Sequence, residues 1–187
     1  MTSKSTAYIG YGGSYAGAFN AFLRVQYPDI FWGTISSSGV TKAIYDYWQY
    51  YEPVAEYGPP QCIANVKTLT HVVDNILIGK NNSQLTATLK SVFGLGNLTH
   101  IQDFTSVLSE GVQGWQSLNW DPALSSPEFY QFCDNVTSPD VLYSGTKHLS
   151  STVKHLISEG GYSPKASLVT AMLNVRELKY AWVVQES

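Results

Sequence analysis

Charge is scarce in this chain. Only 13% of its 187 residues are Asp, Glu, Lys or Arg, about half the ~25% of an ordinary soluble domain. The 11 basic residues are scattered and outnumbered by 14 acids, for a formal net charge of -3, so the basic stripe of a nucleic-acid surface is missing. Long apolar runs are missing too, because Tyr, Gln, Asp and Lys interrupt every hydrophobic stretch well short of the ~18 residues that span a bilayer. The opening residues, MTSKSTAYIGYGG, lack the charged-then-apolar architecture of a secretory leader. No internal repeat and no low-complexity tract occurs. Cysteine is nearly absent: Cys62 and Cys133 stand 71 positions apart, neither with a Cys or His at metal-ligand spacing, which disfavours zinc. They are either two buried free thiols or, in an oxidising compartment, one disulfide worth roughly 4 kcal/mol by loop entropy.

What the chain does have is apolar bulk. Hydrophobic residues make up 44% and aromatics 13%, enough for one folded domain or one domain with part of another. Residues 6–11, TAYIGY, read as a short strand ending at glycine. Residues 15–27 then set Phe19, Phe22 and Leu23 at helical spacing, behind the small residues Ala16, Gly17, Ala18 and Ala21, and Pro28-Asp29 ends the helix. Residues 30–39, IFWGTISSSG, predict a second strand. Strand, helix and strand within about 30 residues make a βαβ unit with parallel strands and a right-handed crossover. Downstream the character changes to an aromatic stretch ending in Pro59-Pro60, then to helical patterns over 61–78, 83–93, 101–115, 146–158 and 165–184. The fold class is therefore α/β, with one βαβ unit followed by a mostly helical region; a single such unit cannot cover both faces of its own sheet.

Between the first strand and the first helix lies GYGGSYAGA. A serine held on a sharp strand-to-helix turn needs small neighbours, and Gly12, Gly13, Ala16 and Gly17 supply them. Ser14 is the candidate nucleophile, and the backbone N–H of Tyr15, at the positive end of the following helix, is the candidate oxyanion donor. A phosphate loop is the rival use of such glycines, but neither the Gly-Lys-Ser/Thr ending nor the dinucleotide-binding glycine spacing is present. Serine also needs a base and an orienting carboxylate. His71 reads as a helix residue, His100 as a loop residue, and His148 and His155 as one helix edge about 10 Å long. None follows a strand. Asp46, Asp74, Asp103, Asp121 and Asp134 fall in or beside helical segments, so no triad His or Asp is identified. Three glycosylation triplets, at Asn81, Asn97 and Asn135, lean toward a secretory route despite the missing leader.

The string GGSYAGAFNAFLRVQYPDIFWGTISSSGV resembles the nucleophile region of the prolyl carboxypeptidase and dipeptidyl peptidase II family of serine peptidases. The likeness rests on Gly12-Gly13-Ser14-Tyr15-Ala16-Gly17, then Arg24, Tyr27-Pro28, and Gly33 with Ser37-Ser38; YDYWQYYEPV and CIANV resemble the fungal members. The resemblance implies a partial α/β-hydrolase, with residues 1–42 a fragment of the catalytic domain and 43–187 an incomplete helical cap insertion. It implies Ser14 as nucleophile, with the family's Asp and His beyond the insertion and without counterparts here. It implies no cofactor, and peptide substrates with proline beside the scissile bond. It also implies an extracellular or vacuolar/lysosomal full-length relative, and little activity of this chain alone. Two alternatives stay open. One is another α/β-hydrolase, such as a serine carboxypeptidase with a Gly-x-Ser-Tyr-Ala-Gly elbow, disfavoured by Gly13 where those have Glu. The other is a non-catalytic binding or regulatory fragment.

Overall fold

The computed structural model describes residues 6–45, 47–117 and 128–183, and the chain divides into two compact units, Met1–Tyr50 and Tyr51–Ser187. In the first unit, strand β1 (Tyr8–Gly13) runs without a loop into helix α1 (Ser14–Gln26), and β2 (Phe31–Ser37) follows. The strands pair in parallel from Ile9 opposite Gly33 to Gly13 opposite Ser37, with an irregularity between Tyr8 and Ile9. The helix begins one residue earlier than the sequence predicts, taking in Ser14.

Small residues let α1 lie hard against the strands. A Cβ added at Gly17 would meet the Gly12 carbonyl oxygen at 2.9 Å and that of Ser37 at 3.0 Å, and one at Gly12 would meet the Ala16 carbonyl oxygen at 2.6 Å. The helix closes where the Tyr27 N–H donates to the Leu23 carbonyl at 2.8 Å, just ahead of Pro28. Arg24 sits in its last turn, where the helix dipole favours a cation. Among the described residues of this unit, only Gly10, Gly12, Gly17 and Ala18 are buried. Tyr11 and Trp32 are 72% and 74% exposed, and Ile9, Phe19 and Ile35 are exposed as well. A two-stranded parallel sheet cannot bury its own apolar side chains, and here they stand open.

The regular structure of the second unit is all helical among its described residues. It comprises α2 (Glu52–Tyr57), α3 (Pro60–Asp74) with a π-helical turn over Asn75–Gly79, and α4 (Ser83–Val92). After these come α5 (Ile101–Gln113), α6 (Glu128–Thr137), α7 (Ser150–Glu159) and α8 (Ala166–Val183). The apolar stripe predicted over 61–78 becomes core: Val72 and Ile76 are fully buried with Leu89, Phe104, Leu156 and Leu173. A second cluster gathers Val54, Ile63, Phe129, Phe132 and Val136 around Cys62 and Cys133, which are bonded with Cα atoms 5.1 Å apart. Helix α8 serves both clusters, giving Leu168, Met172 and Leu173 to the first and Ala171 to the second.

Polar groups fix the connections. The Asn82 side chain caps α4 by accepting the Leu85 N–H at 3.0 Å. The Lys90 ammonium, nearly buried, donates to the Leu98 and Thr99 carbonyls at 2.8 and 3.2 Å, so one cation holds the turn beyond α4. Asn174, fully buried, accepts the Leu142 N–H and donates to the Asn135 and Asp140 carbonyls at 3.0–3.1 Å. One side chain thereby partners three backbone groups around the segment that follows α6.

Helices α2 and α6 are absent from the sequence-based expectation, and the pattern over 146–158 divides into a 3₁₀ stretch, Ser144–Leu149, and α7. Pro60, from the Pro-Pro pair that ends the aromatic stretch in the sequence, occupies the first turn of α3, as Pro53 does that of α2, where a missing N–H costs no helical hydrogen bond. No helix among the described residues is long and apolar enough to cross a membrane.

Candidate functional site

Ser14 stands where β1 becomes α1, and it carries the conformation that such an abrupt junction demands. Its φ is 53°, in the left-handed region that costs a non-glycine residue on the order of 1–3 kcal/mol. The residue is exposed, so its hydroxyl is open to a reactant. The N-terminus of α1 has no side-chain cap and no acid in its first turn. Its leading N–H groups and the positive end of its dipole are therefore not neutralised by a carboxylate. Tyr15, next along, is 79% exposed. Behind the junction the Asn20 side chain donates to the Ala16 carbonyl at 2.8 Å.

The glycines around Ser14 differ in what they do. Gly12 and Gly17 face backbone so closely that any side chain would clash, whereas a Cβ at Gly13 would find its nearest neighbour, the Ser37 carbonyl oxygen, at 3.8 Å. The sequence presents all of these as equally small, and the structure separates them.

No histidine stands in the same unit. All four histidines lie in Tyr51–Ser187. His71, on α3, shares a hydrogen bond of 2.9 Å with the Tyr162 hydroxyl. His100 directly precedes α5, His148 lies in the 3₁₀ stretch and His155 on α7, all exposed. Asp74, Asp103 and Asp134 are exposed on α3, α5 and α6; Asp46 and Asp121 lie outside the described residues.

The helical unit also forms a half-open pocket of about 420 Å³ that the sequence does not announce. Its walls include Val54, Ile63, Val66, Leu108, Val112 and Phe129. The signal was available in the matching apolar stripes of α3 and α5, but which stripes face each other is a tertiary property. Among the described residues, no His, Cys, Asp or Glu cluster could hold a metal ion.

Comparison with known proteins gives this junction its context. The family model of serine carboxypeptidase S28 matches residues 1–173. The "Probable extracellular serine carboxypeptidase" of Arthroderma benhamiae is 50% identical over 173 residues, which cover 92% of this chain and 24% of that protein. The serine protease vicPa of Bipolaris victoriae is 25% identical over 156 residues, 83% of this chain and 29% of that one. The human thymus-specific serine protease is 34% identical over 53 residues, 28% of this chain and 10% of that protein. The chain thus spans about a quarter of the length of the first two relatives. A family match over nearly the whole sequence, with an exposed serine between strand and helix, leads to one conclusion: this chain belongs to the serine carboxypeptidase S28 family.

Proposed function

We propose that residues 1–42 are the nucleophile segment of an α/β-hydrolase and that 43–187 belong to a helical insertion capping its active site. In the whole enzyme, Ser14 Oγ attacks the scissile carbonyl while a histidine base takes its proton. The Tyr15 N–H, at the open end of α1, donates to the developing oxyanion. Collapse of that intermediate breaks the C–N bond, the amine leaves with the proton, and water then releases the acyl group from Ser14. The observation that carries this reading is the left-handed φ of 53° at Ser14, between β1 and α1 of a family member; a strained, exposed serine there is what a nucleophile elbow requires.

The substrates are peptides, with proline beside the scissile bond, and the route is secretory, in keeping with the "extracellular" in the name of the Arthroderma benhamiae relative. The base and its carboxylate are assigned to no residue of this chain: the unit holding Ser14 contains no histidine. Without a base the hydroxyl keeps its proton, and loss of the triad histidine costs on the order of a million-fold in rate. The 187 residues alone are therefore catalytically silent. Labelling the purified chain with a fluorophosphonate probe, beside Ser14→Ala, tests this. The expected result is a folded circular-dichroism signal with no label. Label that depends on Ser14 would mean that a base is present, and the silent-fragment reading would fall.

A further inference from the structure

The three Asn-X-Ser/Thr triplets meet three different environments in the fold. Asn81 is exposed between the π-helical turn and α4, with φ 45°, a left-handed position that asparagine tolerates better than most residues. Asn97 is exposed in the turn beyond α4, and the Lys90 ammonium holds the carbonyls of Leu98 and Thr99, the other two members of its triplet. Asn135 is unlike both. It lies inside helix α6, half-buried, two residues after the disulfide-bonded Cys133. Its amide nitrogen donates to the Gln131 carbonyl at 2.7 Å, and its oxygen accepts from the Tyr143 hydroxyl at 3.4 Å. The Thr137 hydroxyl of the same triplet is turned away to the Cys133 carbonyl at 2.8 Å, and the Asn135 carbonyl accepts from buried Asn174.

We propose that Asn81 and Asn97 are the glycan acceptors of this protein and that Asn135 stays bare. A glycan is bulky and belongs on a surface loop. The first two sites offer that, and at the third it would displace hydrogen bonds that hold the end of α6. The step transfers an oligosaccharide from a lipid pyrophosphate donor. The asparagine Nδ2–sugar C1 bond forms, the C1–O bond to pyrophosphate breaks, the amide loses a proton and the lipid pyrophosphate leaves. The two acceptors flank α4, a helix about 15 Å long, so the turns before and after α4 face solvent while Val92 and Phe93 at its C-terminal end stay in the core.

This inference rests on the secretory reading, since the donor is met only on that route. Expression behind an added secretion leader in yeast therefore separates the two: the leader forces entry, and the native route is tested independently by looking for the natural protein in culture medium. Intact mass before and after endoglycosidase treatment counts the glycans. The variants Ser83→Ala, Thr99→Ala and Thr137→Ala each remove one triplet while keeping its asparagine. The expected result is two glycans on the parent chain, one on each of the first two variants, and two on the third. A third glycan, a loss in Thr137→Ala, no loss in either of the other variants, or an unmodified parent chain would overturn the proposal.

Discussion

A left-handed serine is an expensive way to join a strand to a helix. Ser14 with φ 53° places its backbone where glycine fits without penalty, so the side chain is retained at a cost in stability. Ser14→Gly should relieve that strain, offset in part by glycine's greater freedom in the unfolded chain. The expected net effect is about 1 kcal/mol more protection of the α1 amides in hydrogen exchange. Ser14→Ala keeps the strained backbone and should give no such gain. Equal protection in the two variants would mean that the junction is unstrained. The neighbours of Ser14 were legible only as a group. The sequence marks Gly12, Gly13 and Gly17 alike, but only Gly12 and Gly17 are pressed against backbone, because those contacts come from a helix folding back over two strands.

Among the elements, α6 depends most on something outside itself. The Cys62–Cys133 bond ties it to α3 across 71 residues of sequence, and the Asn65 amide adds a hydrogen bond of 3.1 Å to the Val136 carbonyl. Loop-entropy arithmetic for that separation gives about 4 kcal/mol. A Cys62→Ala/Cys133→Ala double variant should therefore lose roughly that much in urea denaturation of the helical unit, and a loss under 1 kcal/mol would show that packing alone fixes α6. The sequence pattern made β1, α1 and β2 legible, since period-two and helical spacing abut at a glycine-rich turn. It also outlined α3, α4, α5 and α8. It missed α6 although Phe129, Phe132, Cys133 and Val136 keep helical spacing and are buried, because ten residues with three aromatics and an Asn-Val-Thr triplet carry little helix propensity. Helix α2 was hidden by aromatic residues and Pro53, whose place in a first turn is a matter of register.

At the scale of the whole molecule, the two units differ in how much they bury. The helical unit has two apolar clusters with several fully enclosed side chains, whereas the βαβ unit buries only three glycines and Ala18 among its described residues. Local opening free energy follows buried apolar contact. Hydrogen exchange on the isolated chain should therefore fall into two tiers, with β1, α1 and β2 exchanging fast and the amides of α3, α7 and α8 protected longest. One common rate for both would show that the units unfold as a single cooperative body. The same open apolar faces fit the proposal that further strands and helices of a hydrolase domain cover them in the whole enzyme. The disulfide has a topological meaning as well. Residues 62–133 form a closed covalent loop from which two tails extend, and α4, α5 and both proposed glycan acceptors lie on that loop. A protease that cuts the exposed turn at Lys80 opens the loop without dividing the molecule: both pieces, and any sugar on them, stay joined until the sulfurs are reduced.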